Sequence, residues 1–461
     1  MTSSQPKVGW RPERRSAASI QASGKRKADR LRKLALARLK ATGEVVGRGR
    51  QAALGTKETY GPTRPRTPVN QHRQDVPPHV ADARIGERWR RLRSVQGWTT
   101  KKLLAKCKTP IGSSHVGIAT NADGNGAHFV GLQSCANVWA CPVCAPKIRA
   151  ARMVDVLDAF DRHTANGGGF AFLTITLWHE REEALADLLD LLGGAWKYVA
   201  AHRSFKEAKQ RLGMVGNITA LEVTDGGNGW HPHRHVMLMF ERPPSRDAVA
   251  AFEAVIDSLF SNWLRRRGRK HASVIDPETG RRVGVRLDYV PTDDTGRAEQ
   301  LGRYLTKMQA SFELTRGDFK QSRTGKAAGG RLPMDLIDVA ASGGPQARVA
   351  VARWREYEQA MTGKSCVRFS KGLRKLLGMQ DAKTDEELAE EEVGGDAGVF
   401  MTKRVYMRAF NDGHVPALLL SYRMGGDAAV LRLLTEAYPG RVVGQDGEMG
   451  KPGVLLLDFV Q

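Results

Sequence analysis

The stretch NGWHPHRHVMLMF, residues 228–240, places His231, His233 and His235 at every second position. In a β-strand alternate side chains share a face about 6.5 to 7 Å apart, so two such imidazoles can converge on one divalent ion. His233 and His235 lie within the strand-like run, and His231, just before Pro232, extends the row at its start. A lone strand histidine is ordinarily a hydrogen-bonded core or surface residue. Three in alternation beside VMLMF point instead to a metal. Glu222, in ALEVT on the preceding strand, is the candidate third ligand; its bland alternative is a strand-end carboxylate paired with an arginine. Imidazole with carboxylate suits Mn2+, with Mg2+ as a substitute and zinc chemically possible. An ion with open coordination positions polarises a phosphoryl oxygen and stabilises transition-state charge.

In RAEQLGRYLTKMQ, helical spacing puts Tyr304 and Lys307 on one face with Gln300, while Glu299 is offset by part of a turn. A phenol of reference pKa about 10 is a weak nucleophile at neutral pH and needs a cation or metal nearby, which Lys307 could supply. A tyrosine in an amphipathic helix is more often core, so this reading depends on the histidine strand.

Cys141 and Cys144 form a C-x-x-C knuckle, with Cys135 and Cys107 upstream. Thiolates so spaced are ligands for a tetrahedral structural Zn2+. His115 or His128 could replace Cys107 as the fourth. A redox pair would need a thioredoxin-like βαβ context, which this segment lacks. Cys366 stands alone and reads as a buried residue.

These groups sit in a chain of 461 residues with a net charge of +23 and a pI near 10.0. That balance favours a polyanionic partner through counterion release. Residues 1–70 hold 17 Lys/Arg against 4 Asp/Glu, so most of the excess lies in an N-terminal arm. No run approaches the roughly 18 apolar residues of a membrane span. No apolar stretch follows the basic N-terminus, so a secretory signal is not expected and the chain should stay inside the cell. Five cysteines in this length do not suggest a disulfide framework.

The positioning elements follow from periodicity. AFLTITL, GNITALEVT (216–224), HRHVMLMF (233–240) and VGVRLDYV (283–290) read as strands, the middle two joined through DGGNGWHP as a hairpin. Residues 180–213, 246–268 and 297–312 read as helices, as do PMDLIDVAA and ARVAVARWREYEQAMTG further on. VYMRAF and VLLLDFV suggest the strands of a small βαβ tail. The expected fold is α+β, an antiparallel sheet backed by helices. Its expected parts are a basic arm and linker (1–80), a helix plus zinc segment (85–150), a domain carrying the histidine strand and the tyrosine helix (151–315), a helical accessory region (316–395) and a C-terminal α+β module (399–461).

Taken in order, AFLTITL, GWHPHRHVML and GRYLTK resemble the three motifs of the HUH endonucleases, most closely the rolling-circle replication initiator (Rep) proteins of bacterial plasmids. LEVTDGGNGWHPHRHV and WREYEQAMTGKSCVRFSKGLRKLL are similar to Rep proteins of actinobacterial plasmids, and the resemblance covers roughly residues 105–395. Its middle motif is the specific one. One departure is Arg234, where the family pattern has a bulky apolar residue; it should point away from the metal. The resemblance implies a cytoplasmic bacterial DNA strand transferase acting at a plasmid double-strand origin, with residues 151–315 as its HUH nuclease domain. Tyr304 would form a 5′-phosphotyrosine link and free a 3′-OH for the host polymerase, with a host helicase as a further partner. Glu299 is the candidate carboxylate for termination by water. The alternatives are an HUH-type transposase, which would nick at element ends, and a non-catalytic zinc-containing DNA-binding regulator, which would give no nick and no covalent adduct.

Overall fold

The structure, a computed structural model, describes residues 78–112, 115–121, 126–269, 274–275, 282–290, 331–390, 397–446 and 455–460. In chain order these form α1 (Pro78–Gln96), β1 (His115–Thr120), β2 (Ala127–Val130), α2 (Cys144–Ala165), β3 (Gly169–Thr176), α3 (Leu185–Ala201) and α4 (Arg203–Arg211). Then come β4 (Met214–Gly226), β5 (Gly229–Phe240), α5 (Arg246–Arg265), β6 (Val285–Tyr289), α6 (Asp335–Ala341), α7 (Ala347–Ala360) and β7 (Val367–Phe369). The chain ends with α8 (Asp385–Glu390), β8 (Ala397–Thr402), α9 (Lys403–Asp412), α10 (Val415–Ala437), β9 (Val442–Asp446) and β10 (Leu455–Phe459). The fold is α+β. Among the described residues no helix is long and apolar enough to cross a membrane.

The sheet that carries the histidines has the order β6-β3-β5-β4-β7, with every neighbouring pair antiparallel. β5 is therefore central, paired along both sides. The β4–β5 hairpin turns on two residues, Gly227 and Asn228, so the strands run further toward the tip than the sequence suggests and His231 lies inside β5. Gly229 has φ of 80°, and a Cβ there would fall 2.3 Å from the Arg181 carbonyl oxygen, so only glycine fits at the tip.

The helical stretch expected over 180–213 is two helices. His202 breaks it and caps α4, its Nδ1 accepting from the Ser204 N–H at 3.2 Å. α3 buries Leu185, Leu188, Leu189 and Leu192 at the expected helical spacing. Phe160 of α2 stacks on Phe170 of β3 with centroids 4.5 Å apart. Trp230 of β5 stacks on Tyr357 of α7.

The second sheet has the order β9-β10-β8-β1-β2. β8 and β10 are parallel and its other pairs antiparallel. It joins the hairpin β1–β2, which lies between Cys107 and Cys135 in sequence, to strands from the chain's last quarter. VYMRAF lies in helix α9 and not in a strand: Val405, Tyr406, Ala409 and Phe410 are its buried face, a helical period that outweighs the β-branched and aromatic content.

Candidate functional site

Register sets the site. His233 is opposite Glu222 on β4 and Thr176 on β3; His235 is opposite Ala220 and Thr174; His231 is opposite Thr224. Directly opposed residues project to one face. The three histidines, Glu222 and the threonines thus form a polar patch at one end of that face. The other end carries the apolar register pairs Phe170–Met239 and Phe172–Met237.

Glu222 Oε2 lies 3.1 Å from His235 Nε2, and Thr174 Oγ1 lies 3.3 Å from His235 Nδ1. With the hydroxyl engaging one ring nitrogen, the other is held toward the carboxylate, as an oriented metal ligand would be. The His233 ring lies near-parallel to His235 at 6.0 Å between centroids and edge-on to His231 at 4.2 Å. His235 is buried. The two imidazoles on the central strand and the carboxylate on its β4 neighbour are nitrogen and oxygen donors facing one way; among the described residues, the four cysteines are the group whose ligand atoms already lie close enough together for one ion. On the neighbouring strand Arg286, opposite Thr174, shares the histidine face and pairs with Asp288 at 3.1 Å.

Sequence reasoning missed His179. It follows β3, and its Nε2 lies 2.6 Å from His231 Nδ1. Burial, and secondly the neighbouring His179 imidazole, push His231 down to about 4, so it is neutral at neutral pH. Nothing in local spacing could have paired a loop residue after β3 with β5; only the register does so.

Arg234 alternates with the histidines and so projects to the opposite face, as expected. Burial, with Arg368 nearby, pushes its guanidinium down to about 10. Tyr304, Lys307, Glu299 and Gln300 lie outside the described residues.

The four cysteines converge. Cys107 Sγ lies 3.6 Å from the sulfurs of both Cys141 and Cys144, Cys135 Sγ lies 4.0 Å from Cys144, and all four are buried within 4.8 Å of one another. A Zn–S bond of about 2.3 Å gives a tetrahedral S···S edge of about 3.8 Å, so the cluster is compatible with a structural zinc. Burial pushes the Cys141 thiol up, while sulfhydryl donors led by Cys107 hold Cys144 down, the unequal titration of thiols sharing one space. Cys107 is in the cluster, whereas His115 and His128 lie in β1 and β2, with His128 Nδ1 2.8 Å from Asn121 Oδ1. Lys108 and Ala136, each directly after a cysteine of the cluster, have φ of 59° and 51°. They are the two non-glycine residues with positive φ among the described residues.

A family model described as Replication protein matches residues 130–245, the span holding the cysteine knuckle and the histidine strand. "Protein rep" of Streptomyces lividans is 30% identical over 348 residues, covering 63% of this chain and 75% of that protein. "Neomycin resistance protein" of Streptomyces cyanogenus is 30% identical over 135 residues, covering 24% of this chain and 31% of that protein. No solved structure matches significantly. A relative matched over three quarters of its own length settles the family: the chain belongs to the Rep family of plasmid replication proteins.

Proposed function

We propose that this replication protein initiates rolling-circle replication by nicking one strand of the plasmid origin through a covalent phosphotyrosine intermediate. The observation that supports it best is that His233, His235 and Glu222 share one face of two adjacent strands, with Glu222 Oε2 3.1 Å from His235 Nε2. These residues would hold a divalent ion, Mn2+ or Mg2+, with His231 beside them. Such an ion supplies Lewis-acid polarisation of a phosphoryl oxygen.

The chain's own residues account for the remainder. The Tyr304 oxygen attacks the phosphorus, a tyrosyl P–O bond forms, and the bond to the 3′ oxygen breaks to leave a 3′-OH. Lys307 favours the phenolate by its charge. One ester replaces another, so the bond energy is kept and the strand can be rejoined by the reverse attack. Glu299 would assist water at termination. The free 3′ end suits a host polymerase, with a helicase opening the duplex ahead of it. Zn2+ at the four cysteines would be structural.

The test is incubation of the full-length protein with supercoiled origin plasmid and Mn2+, followed by mass spectrometry of the DNA-linked peptide. The expected result is a nicked circle bearing a 5′ adduct on Tyr304, lost in Tyr304→Phe with binding retained. Absence of both nick and adduct would favour a non-catalytic DNA-binding regulator. An adduct on another tyrosine would displace Tyr304.

A further inference from the structure

Trp178, between the end of β3 and His179, is 48% exposed. A tryptophan ordinarily contributes its large apolar surface to a core or an interface. Here the backbone beneath it is pinned. The next residue, His179, contacts His231 at 2.6 Å. Three residues on, the Arg181 carbonyl abuts Gly229 at the hairpin tip so closely that no side chain could stand there. Glu183 pairs with Arg269, and its Oε1 accepts from the Glu180 N–H at 2.9 Å. The loop is thus held to the histidine hairpin and to the chain just past α5, yet it presents an indole to solvent.

Consecutive Cα atoms are about 3.8 Å apart, so the indole is rooted one residue from the imidazole row. A strand whose phosphate reaches His233 and His235 would have a flanking base beside it. Stacking on an aromatic face is the sequence-tolerant way to hold an unpaired base. Arg286 on the same sheet face and the family's replication role favour a nucleic acid over an apolar protein partner for this ring. We infer that Trp178 is a stacking platform for an unpaired DNA base next to the phosphate held at the histidine site. The inference rests on the nuclease reading for its substrate; its role is positional.

The test uses the full-length zinc-loaded protein with no Mn2+ or Mg2+ added, with fluorescence anisotropy of labelled (dT)10 and of an abasic deoxyribose-phosphate decamer of equal charge. Trp178→Ala should weaken (dT)10 binding about 5- to 100-fold, Trp178→Phe should retain most of it, and the abasic decamer should bind wild type and both variants alike. Equal loss on both decamers, or unchanged (dT)10 affinity in Trp178→Ala, would overturn the platform. Plasmid nicking with Mn2+ is scored separately. If no nick forms but the selective loss on (dT)10 persists, the nuclease reading fails and the platform stands.

Discussion

Glu222 reaches diagonally across the β4–β5 ladder: its Oε2 lies 3.1 Å from His235 Nε2, although register places it opposite His233. It therefore leans toward His235, on the side where the third ligand of the proposed ion would stand. Glu222→Gln keeps the shape and removes the charge. Mn2+ affinity by isothermal titration should fall at least about 10-fold, since even a carboxylate that only supports a ligand is worth about 10- to 100-fold, with plasmid nicking falling in parallel and the melting temperature little changed. A loss under about threefold would remove Glu222 from the ligand set.

The cysteine cluster ties distant parts of the chain together. Cys107 precedes the β1–β2 hairpin, whose β1 pairs with β8, and Cys144 opens α2, whose Phe160 lies on the histidine sheet. Structural zinc in small sites contributes on the order of 10 kcal/mol or more to apparent binding, comparable to the whole stability of a domain. One zinc per chain should be found by elemental analysis. Cys141→Ser should lose it and open the second sheet to proteolysis, cutting near β1 and β8 before the histidine sheet.

Left-handed backbone at Lys108 and Ala136 directly follows Cys107 and Cys135. For a residue with a Cβ that conformation costs about 1 to 2 kcal/mol, and the closure of the cysteine cluster holds it in place. Ala136→Gly removes the steric term but loosens the unfolded chain, so the expected net gain is under about 1 kcal/mol. Denaturant midpoints of the zinc-loaded protein should rise slightly. A fall would mean that the alanine methyl makes a contact that matters more than its strain.

Much of this was legible in the residues. The alternation of His231, His233 and His235 fixed a shared face, and the spacing of Cys141 and Cys144 fixed a knuckle, because both depend on local geometry alone. His179 was hidden because its partner is set by the register of β3 on β5. The pairing of β1 with β8 was hidden as well, since it joins residues separated by most of the chain and no local period encodes it. VYMRAF misled because β-branched and aromatic content matched a strand, while its buried positions follow a helical period.

His231 gives the stability a defined pH dependence. Its folded-state pKa of about 4 lies below the ordinary 6.5. Above pH 6.5 it is neutral in both states and contributes no slope. Between 6.5 and 4 the unfolded chain takes up the proton first, so stability falls as pH falls, and below 4 the effect levels off. In zinc-loaded protein with no Mn2+ or Mg2+ added, urea midpoints of wild type should drop through that window more steeply than those of His231→Asn. Parallel curves would mean that His231 titrates normally in the folded protein.

Beside the histidines, one residue before β4 ends, stands Asp225, whose side chain is 3% exposed and accepts from Arg331 Nε at 3.0 Å and Arg353 Nη2 at 2.5 Å. Its backbone N–H and carbonyl also pair with Arg331, and the Arg353 guanidinium lies 4.2 Å over the ring of Trp230, the register partner of Asp225. One carboxylate thus fastens α7 and the chain ahead of α6 to the hairpin that carries His231. Removing one partner of a buried pair costs about 3 to 5 kcal/mol. Arg331 is 45% exposed, so water recovers part of that loss and Asp225→Asn should cost about 3 kcal/mol, at the lower end. If the clamp also sets the hairpin, Asp225→Asn should weaken Mn2+ binding although Asp225 is no ligand. Metal affinity unchanged alongside the stability loss would confine Asp225 to holding the helices.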